Sequence, residues 1–152
     1  MNIKILAVGN LKDKHYLSAF NEYKKRLSAF GSVEVKELKE QTHLGSVPLI
    51  IEKESEDIIS NLDGHVILMD ISGKTMSSEK FAAEISRLQV GGVSKFTFVI
   101  GGSYGVSQKV RDKANLRLSF SEMTFPHGLF RVMLAEQIYR AFQIKVGSPY
   151  HK

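Results

Sequence analysis

With 152 residues and no cysteine, the chain is long enough to bury a core unaided, and disulfide scaffolds, thiolate zinc sites, iron–sulfur clusters and cysteine nucleophiles are excluded together. No apolar run approaches the roughly 20 residues that span a bilayer, and Met1 to Leu6 is too short and too strand-like for a signal peptide, so a cytoplasmic protein without membrane contact is expected. The net charge of +5 and pI near 9.4 suit a polyanion partner, or simply keep a small protein soluble.

Strands and helices alternate along the whole chain. Ile3 to Val8 is a compact apolar run closed by Gly9, a buried strand. Tyr16, Ala19, Phe20, Tyr23, Leu27 and Phe30 recur at helical spacing, with Lys24, Lys25 and Arg26 over the last turn and Gly31 at the stop. Val33 to Leu38 alternates apolar and charged residues like an edge strand. Gln41 to Val47 reads as a loop, and Pro48 opens a helix through Ile58 and Ile59.

Val66 to Met69 is a short strand that exits through Asp70-Ile71-Ser72-Gly73-Lys74. Ser77 or Ser78 caps a helix carrying Phe81, Ala82, Ile85 and Leu88. Phe96 to Ile100 is a core strand followed at once by Gly101-Gly102-Ser103-Tyr104-Gly105. A short helix (107–114), a strand (116–120) and a long helix from His127 to Ile144 complete the chain before a short tail. The pattern predicts a single α/β domain over 1–152, a parallel sheet with helices on both faces. Ligands in such sheets sit beyond the carboxyl ends of the strands.

Four features carry chemistry or contacts. The Gly101–Gly105 run lets backbone approach a ligand, or makes a tight structural turn; it lacks the spacing of a dinucleotide fingerprint or a Walker loop. Phe120 to His127 is a semi-apolar loop that suits an adenine ring or serves only as a buried connection. The helix from Leu129 is apolar around most of its circumference, with Glu136, Arg140 and Gln143 as a narrow polar stripe. Such a helix is buried on several sides, within the domain or against a partner subunit. The tail ends in Tyr150-His151-Lys152, able to stack on a base, move a proton and meet a phosphate, or plain surface. His15, His43 and His65 have no partner at metal-ligand spacing, so no metal is expected.

Several segments in order resemble one known family. These are Leu68-Met69-Asp70-(x)2-Gly73-Lys74, Phe98-Val99-Ile100-Gly101-Gly102-(x)2-Gly105, and Leu118-Ser119-(x)4-Thr124-Phe125-Pro126-His127. Arg131-Val132-(x)3-Glu136-Gln137-(x)-Tyr139-Arg140-Ala141 and Pro149-Tyr150-His151-Lys152 complete the set. Together they are similar to the RlmH family of bacterial SPOUT, or α/β-knot, methyltransferases, and the resemblance covers the whole chain. Ser103 and Gly128 stand where proline is frequent in that family, and Gly147-Ser148 where an Asn-His pair is.

The resemblance implies a C-terminal trefoil knot, an exception to the rule that chains do not thread, and a homodimer packed through the knot and last helix. It implies an S-adenosylmethionine-dependent enzyme that methylates N3 of a pseudouridine in 23S ribosomal RNA within the assembled ribosome. It assigns Met69, Gly101 and the loop Phe120, Ser121, Glu122, Met123, Thr124 and Phe125 to the cofactor, and the tail to RNA contact or transfer. On side-chain chemistry His151 is then the first candidate for a base and Glu136 the second, with Tyr150 beside them. Arg131, Arg140 and Lys152 are expected to hold phosphates. The alternative reading is a non-catalytic RNA-binding α/β domain; a nucleotide-binding switch would need a phosphate loop that Val8-Gly9-Asn10-Leu11 does not supply.

Overall fold

The computed structural model describes residues 1–152. Five strands form one sheet: β1 (Asn2–Val8), β2 (Ser32–Leu38), β3 (His65–Thr75), β4 (Lys95–Ile100) and β5 (Leu116–Ser119). Their order is β2-β1-β4-β3-β5 and every pairing is parallel. The connections are α1 (Lys14–Leu27), α2 (Val47–Ile59), α3 (Ser78–Val90) and α4 (Gln108–Lys113), with α5 (His127–Lys145) after β5.

Parallel strands covered on both faces read as continuous apolar runs, because alternate side chains enter different cores. In β1, Ile3, Ile5 and Ala7 enter one core, while Leu6 and Val8 enter the other. Ile67 and Met69 of β3 divide in the same way from Val66 and Leu68. The larger core lies under α1, α3 and α5, and the smaller under α2 and α4. β2 is an edge strand, as its charged alternation predicts.

Two elements depart from expectation. Helix α1 stops at Leu27, after which Phe30 turns inward and stacks on Phe142 at a ring separation of 5.2 Å. Strand β3 does not exit at Met69. It resumes after a register shift, so that Met69 and Lys74 both lie opposite Leu118 and Thr75 pairs with Ser119. Gly73 sits where a Cβ would meet the Arg117 carbonyl carbon at 2.7 Å, so it permits close strand approach instead of forming a simple turn. The chain then runs through β5 into α5, which packs between α1 and α3. This path is consistent with the C-terminal knot that the resemblance implies.

Candidate active site

The carboxyl ends of β3, β4 and β5 meet in one cleft of about 270 Å3, where ligands of parallel sheets sit. One wall is Met69, Asp70 and Ile71 at the end of the first part of β3. The second is the turn after β4: Gly102 pairs with Gly105, the Gly105 N–H donates to the Gly102 carbonyl at 3.0 Å, and Gly105 has φ of +84°. The third is the loop after β5, contributing Phe120, Ser121, Met123, Thr124 and Phe125, with Phe130 of α5 behind it. Phe120 and Phe125 both pack on Phe130, at 5.2 and 6.5 Å between rings, which holds this apolar wall in place.

The loop's polar groups are poised for a ligand. Across 120–125 the only internal hydrogen bond to a backbone amide is that from Met123 to the Ser121 hydroxyl, at 3.0 Å. The remaining amides stay free beside aromatic carbon, an environment that binds a flat heterocycle by its edge and faces. Gly102 allows no side chain, since a Cβ there would collide with Glu54 Oε1. Glu54 itself is buried, with Oε2 accepting from the Gln41 N–H at 2.8 Å and Oε1 unpartnered. Burial pushes its carboxyl upward, against that backbone hydrogen bond.

Asp70 supplies the charge of the cleft. Its Oδ2 accepts from Arg111 Nε at 3.1 Å and from Arg117 Nε at 3.0 Å, while Oδ1 accepts from the Ser72 N–H at 3.0 Å. Burial alone would raise this carboxyl; the Ser72 and arginine hydrogen bonds outweigh it and hold it below the usual range. Two guanidinium groups on one carboxylate leave a net positive charge at the cleft mouth.

A second groove, about 360 Å3, adjoins the cleft and shares Leu118 and Phe120 with it. Glu136 of α5, Tyr23 of α1 and Ser78 of α3 line it. The tail folds back beside this groove. The Tyr150 hydroxyl donates to Glu136 Oε1 at 3.0 Å, and Arg140 donates to the same oxygen through Nε at 2.8 Å. Gln137 donates to Oε2 at 2.9 Å. Burial, with Tyr23 and Glu136 beside it, pushes the Tyr150 phenol well above its usual range. Arg140 also lies 4.7 Å from the Tyr150 ring centroid.

His151 is held from both sides. Arg140 Nη1 lies 3.1 Å from Nδ1, and Glu79 Oε1 lies 2.9 Å from Nε2. A guanidinium only donates and a carboxylate only accepts, so Nδ1 accepts from Arg140 and Nε2–H donates to Glu79. The His151 hydrogen bond is the main cause that takes Glu79 down to about 2.

The expected site residues thus fall into two adjoining groups. Met69, Phe120, Ser121, Met123, Thr124 and Phe125 share the cleft; Glu136, Arg140, Tyr150 and His151 share the tail network. Gly101 lies just outside the cleft wall, where a Cβ would meet Val106 Cγ1 at 2.7 Å. Glu122 and Lys152 are exposed, and Glu122 does not line the cleft.

Arg131 requires a correction. Expected to hold phosphate, it is 1% exposed, and its guanidinium donates to Glu37 Oε2 at 2.6 Å, to His127 Nε2 at 3.0 Å and to the Gly9 carbonyl. It is a strut fixing α5 to the ends of β1 and β2, with no donor group left facing solvent. The sequence reading also missed Asp70, Arg111, Arg117 and Glu79. Their partners are far apart in the chain, and no local spacing marks them. No three His, Cys, Asp or Glu side chains are grouped to hold a metal ion.

A five-stranded parallel sheet with its cleft at the strand ends, and a final helix returning between two others, is the arrangement expected of an α/β-knot methyltransferase. The family model described as "Predicted SPOUT methyltransferase" matches residues 1–151. A protein of Clostridium acetobutylicum called ribosomal RNA large subunit methyltransferase H is 50% identical over 159 residues, covering 100% of both chains. One of the same name from Bacillus thuringiensis strain Al Hakam is 49% identical over 160 residues, again covering 100% of both. Among solved structures, a probable methylase family protein from Haemophilus influenzae Rd KW20 shares the fold, with a TM-score of 0.55 at 12% identity over 99% of this chain and 70% of that one. The chain belongs to the SPOUT methyltransferase family.

S-adenosylmethionine is the methyl donor of that family. The cleft residues fit it: aromatic and thioether side chains with free backbone amides suit the adenine, and a turn without side-chain bulk at Gly102 admits close backbone approach.

Proposed function

We propose that this chain methylates N3 of a pseudouridine in 23S ribosomal RNA within the assembled ribosome, acting in the cytoplasm as a homodimer whose subunit is one unit over residues 1–152. The reaction class is carried by one observation: a cleft with free amides and aromatic walls adjoins a groove edged by an imidazole, a phenol and a carboxylate. The ribosomal substrate rests on the name of the relatives that match over their full length.

The bound cofactor supplies an electrophilic methyl group. The chain's own residues must hold the donor, present N3 in line with it, and take the N3 proton so that the ring nitrogen carries a free lone pair. Met69, Gly101 and the 120–125 loop bind the donor. Glu136, with three donors already on its oxygens, serves to orient Tyr150. His151 takes the proton. Its Nδ1 lone pair is occupied by Arg140 in the resting arrangement, so binding must first draw Arg140 away. An RNA phosphate does that by competing for the guanidinium, which gives Arg140 a double role in holding RNA and releasing the base. Lys152 adds a second phosphate contact.

The groove and the half-buried Val132, Met133 and Tyr139 of α5 give a partner subunit an apolar seat. The alternative, an RNA-binding domain without catalysis, predicts ribosome binding indifferent to cofactor. The test is transfer of labelled methyl from S-adenosylmethionine to ribosomes lacking the modification, followed by nucleoside mapping. Label on N3 of one pseudouridine is expected. Ribosome binding with no incorporation would leave the non-catalytic reading instead.

A further inference from the structure

The rim of the cofactor cleft carries features that cofactor binding does not use. Three large apolar side chains are exposed around it: Ile71 at 55%, Tyr104 at 50% and Met123 at 74%. Tyr104 sits at the tip of the Gly102–Gly105 turn, whose other three residues all line the cleft. The turn is braced by its own hydrogen bond and by the buried carboxyl of Glu54 beneath Gly102. An aromatic ring on a rigid turn loses little freedom when it is covered, so it makes an effective stacking platform.

Arg117 is tied to the cleft through Asp70, which lines it. The Arg117 side chain is 38% exposed, and it shares a single Asp70 oxygen with Arg111. One carboxylate cannot neutralise both cations. An exposed aromatic on one wall of the cleft and surplus positive charge behind Asp70 on another match an unpaired nucleotide, with a π-face for the ring and a phosphate for the charge.

We propose that Tyr104 stacks on an unpaired nucleobase of the substrate RNA at the cleft mouth while Arg117 meets the adjoining phosphate, and that the two set where the strand enters. This rests on the reading of the chain as an RNA methyltransferase. Both are substrate-positioning residues and take no part in proton or methyl transfer.

The test measures methyl incorporation against ribosome concentration for the wild type, Tyr104→Ala, Tyr104→Phe and Arg117→Ala. Tyr104→Ala should raise KM for ribosomes about tenfold, the scale of one lost base stack, with kcat and the calorimetric Kd for S-adenosylmethionine within about twofold of wild type. Tyr104→Phe keeps the ring and should restore KM. Arg117→Ala should raise KM and flatten its dependence on salt. An unchanged KM for Tyr104→Ala would overturn the proposal, as would Phe behaving like Ala, or a changed oligomeric state that made the patch a subunit contact. If the wild type transfers no methyl, the functional reading fails on its own. The stack is then decided by fluorescence anisotropy with a labelled single-stranded RNA, where equal affinity of wild type and Tyr104→Ala would overturn it.

Discussion

Arg131 on α5 and Glu37 on β2 lie 94 residues apart and meet at 2.6 Å, with the guanidinium buried and the carboxylate at its edge. The same guanidinium holds the Gly9 carbonyl and His127, so one side chain ties the last helix to the first two strands. Truncating it strips this donor from the buried Gly9 carbonyl and leaves the half-buried Glu37 carboxylate with the Leu11 N–H alone. Arg131→Met should lower stability by about 3 kcal/mol in a denaturant titration. Arg131→Lys should recover little, because an ammonium cannot span three acceptors set in a plane. A loss below about 0.5 kcal/mol would return Arg131 to the surface, where such substitutions cost that little.

His127 makes stability depend on pH. Burial, then the charge of Arg131, holds its imidazole below the ordinary range, while Nε2 accepts from Arg131. As pH falls, the unfolded chain binds the proton first, so stability present above the usual imidazole range is lost as pH falls through it. Glu54 acts in the opposite sense: its raised carboxyl keeps its proton in the folded state, so its contribution is lost as pH rises past the usual carboxylate range. Comparing unfolding midpoints at about pH 7.5 and about pH 5.5, His127→Gln should lose less than wild type on acidification. Equal losses would show that His127 does not titrate with unfolding.

The glycine turn predicts a selective defect. Gly102→Ala places a methyl against the buried Glu54 oxygen, so the Glu54 carboxyl or the turn has to shift. Affinity for S-adenosylmethionine should fall at least about tenfold, as expected for a misplaced contact group, with little change in unfolding temperature. Adding Glu54→Ala should recover part of the loss, since the two substitutions share one contact. Strictly additive effects would break the link between this pair and the cofactor turn.

The tail network separates chemistry from binding. His151→Ala should reduce methyl transfer by about 100- to 10,000-fold, the range for a lost general base, while cofactor binding is retained. Tyr150→Phe loses the hydroxyl's bonds to Glu136 and Tyr23 while keeping the ring and should cost far less. A His151→Ala enzyme with wild-type turnover would remove the proton-transfer role from the tail.

The alternating two-core strands and the Ser77 cap of α3 were legible in the sequence because period and end signals are local. So was the loop after β5 as a cleft wall, through its semi-apolar composition at a strand end. The outer half of β3 was not. Its partners are Leu118 and Ser119 of the neighbouring strand β5, and the glycine that permits the pairing looks like a turn. Arg131 was misread for a similar reason: on a helix wheel it belongs with the polar residues, and nothing nearby announces that Glu37 and Gly9 will surround it. The Asp70–Arg111–Arg117 cluster joins three elements and is visible only once they fold together.

Whether the cleft at the ends of β3, β4 and β5 holds S-adenosylmethionine is decided by isothermal titration of the cofactor into the purified protein. Saturable heat with about one site per subunit is expected, abolished or strongly weakened in Gly102→Ala. No saturable binding at about millimolar cofactor, roughly the 4 kcal/mol floor of specific affinity, would contradict it.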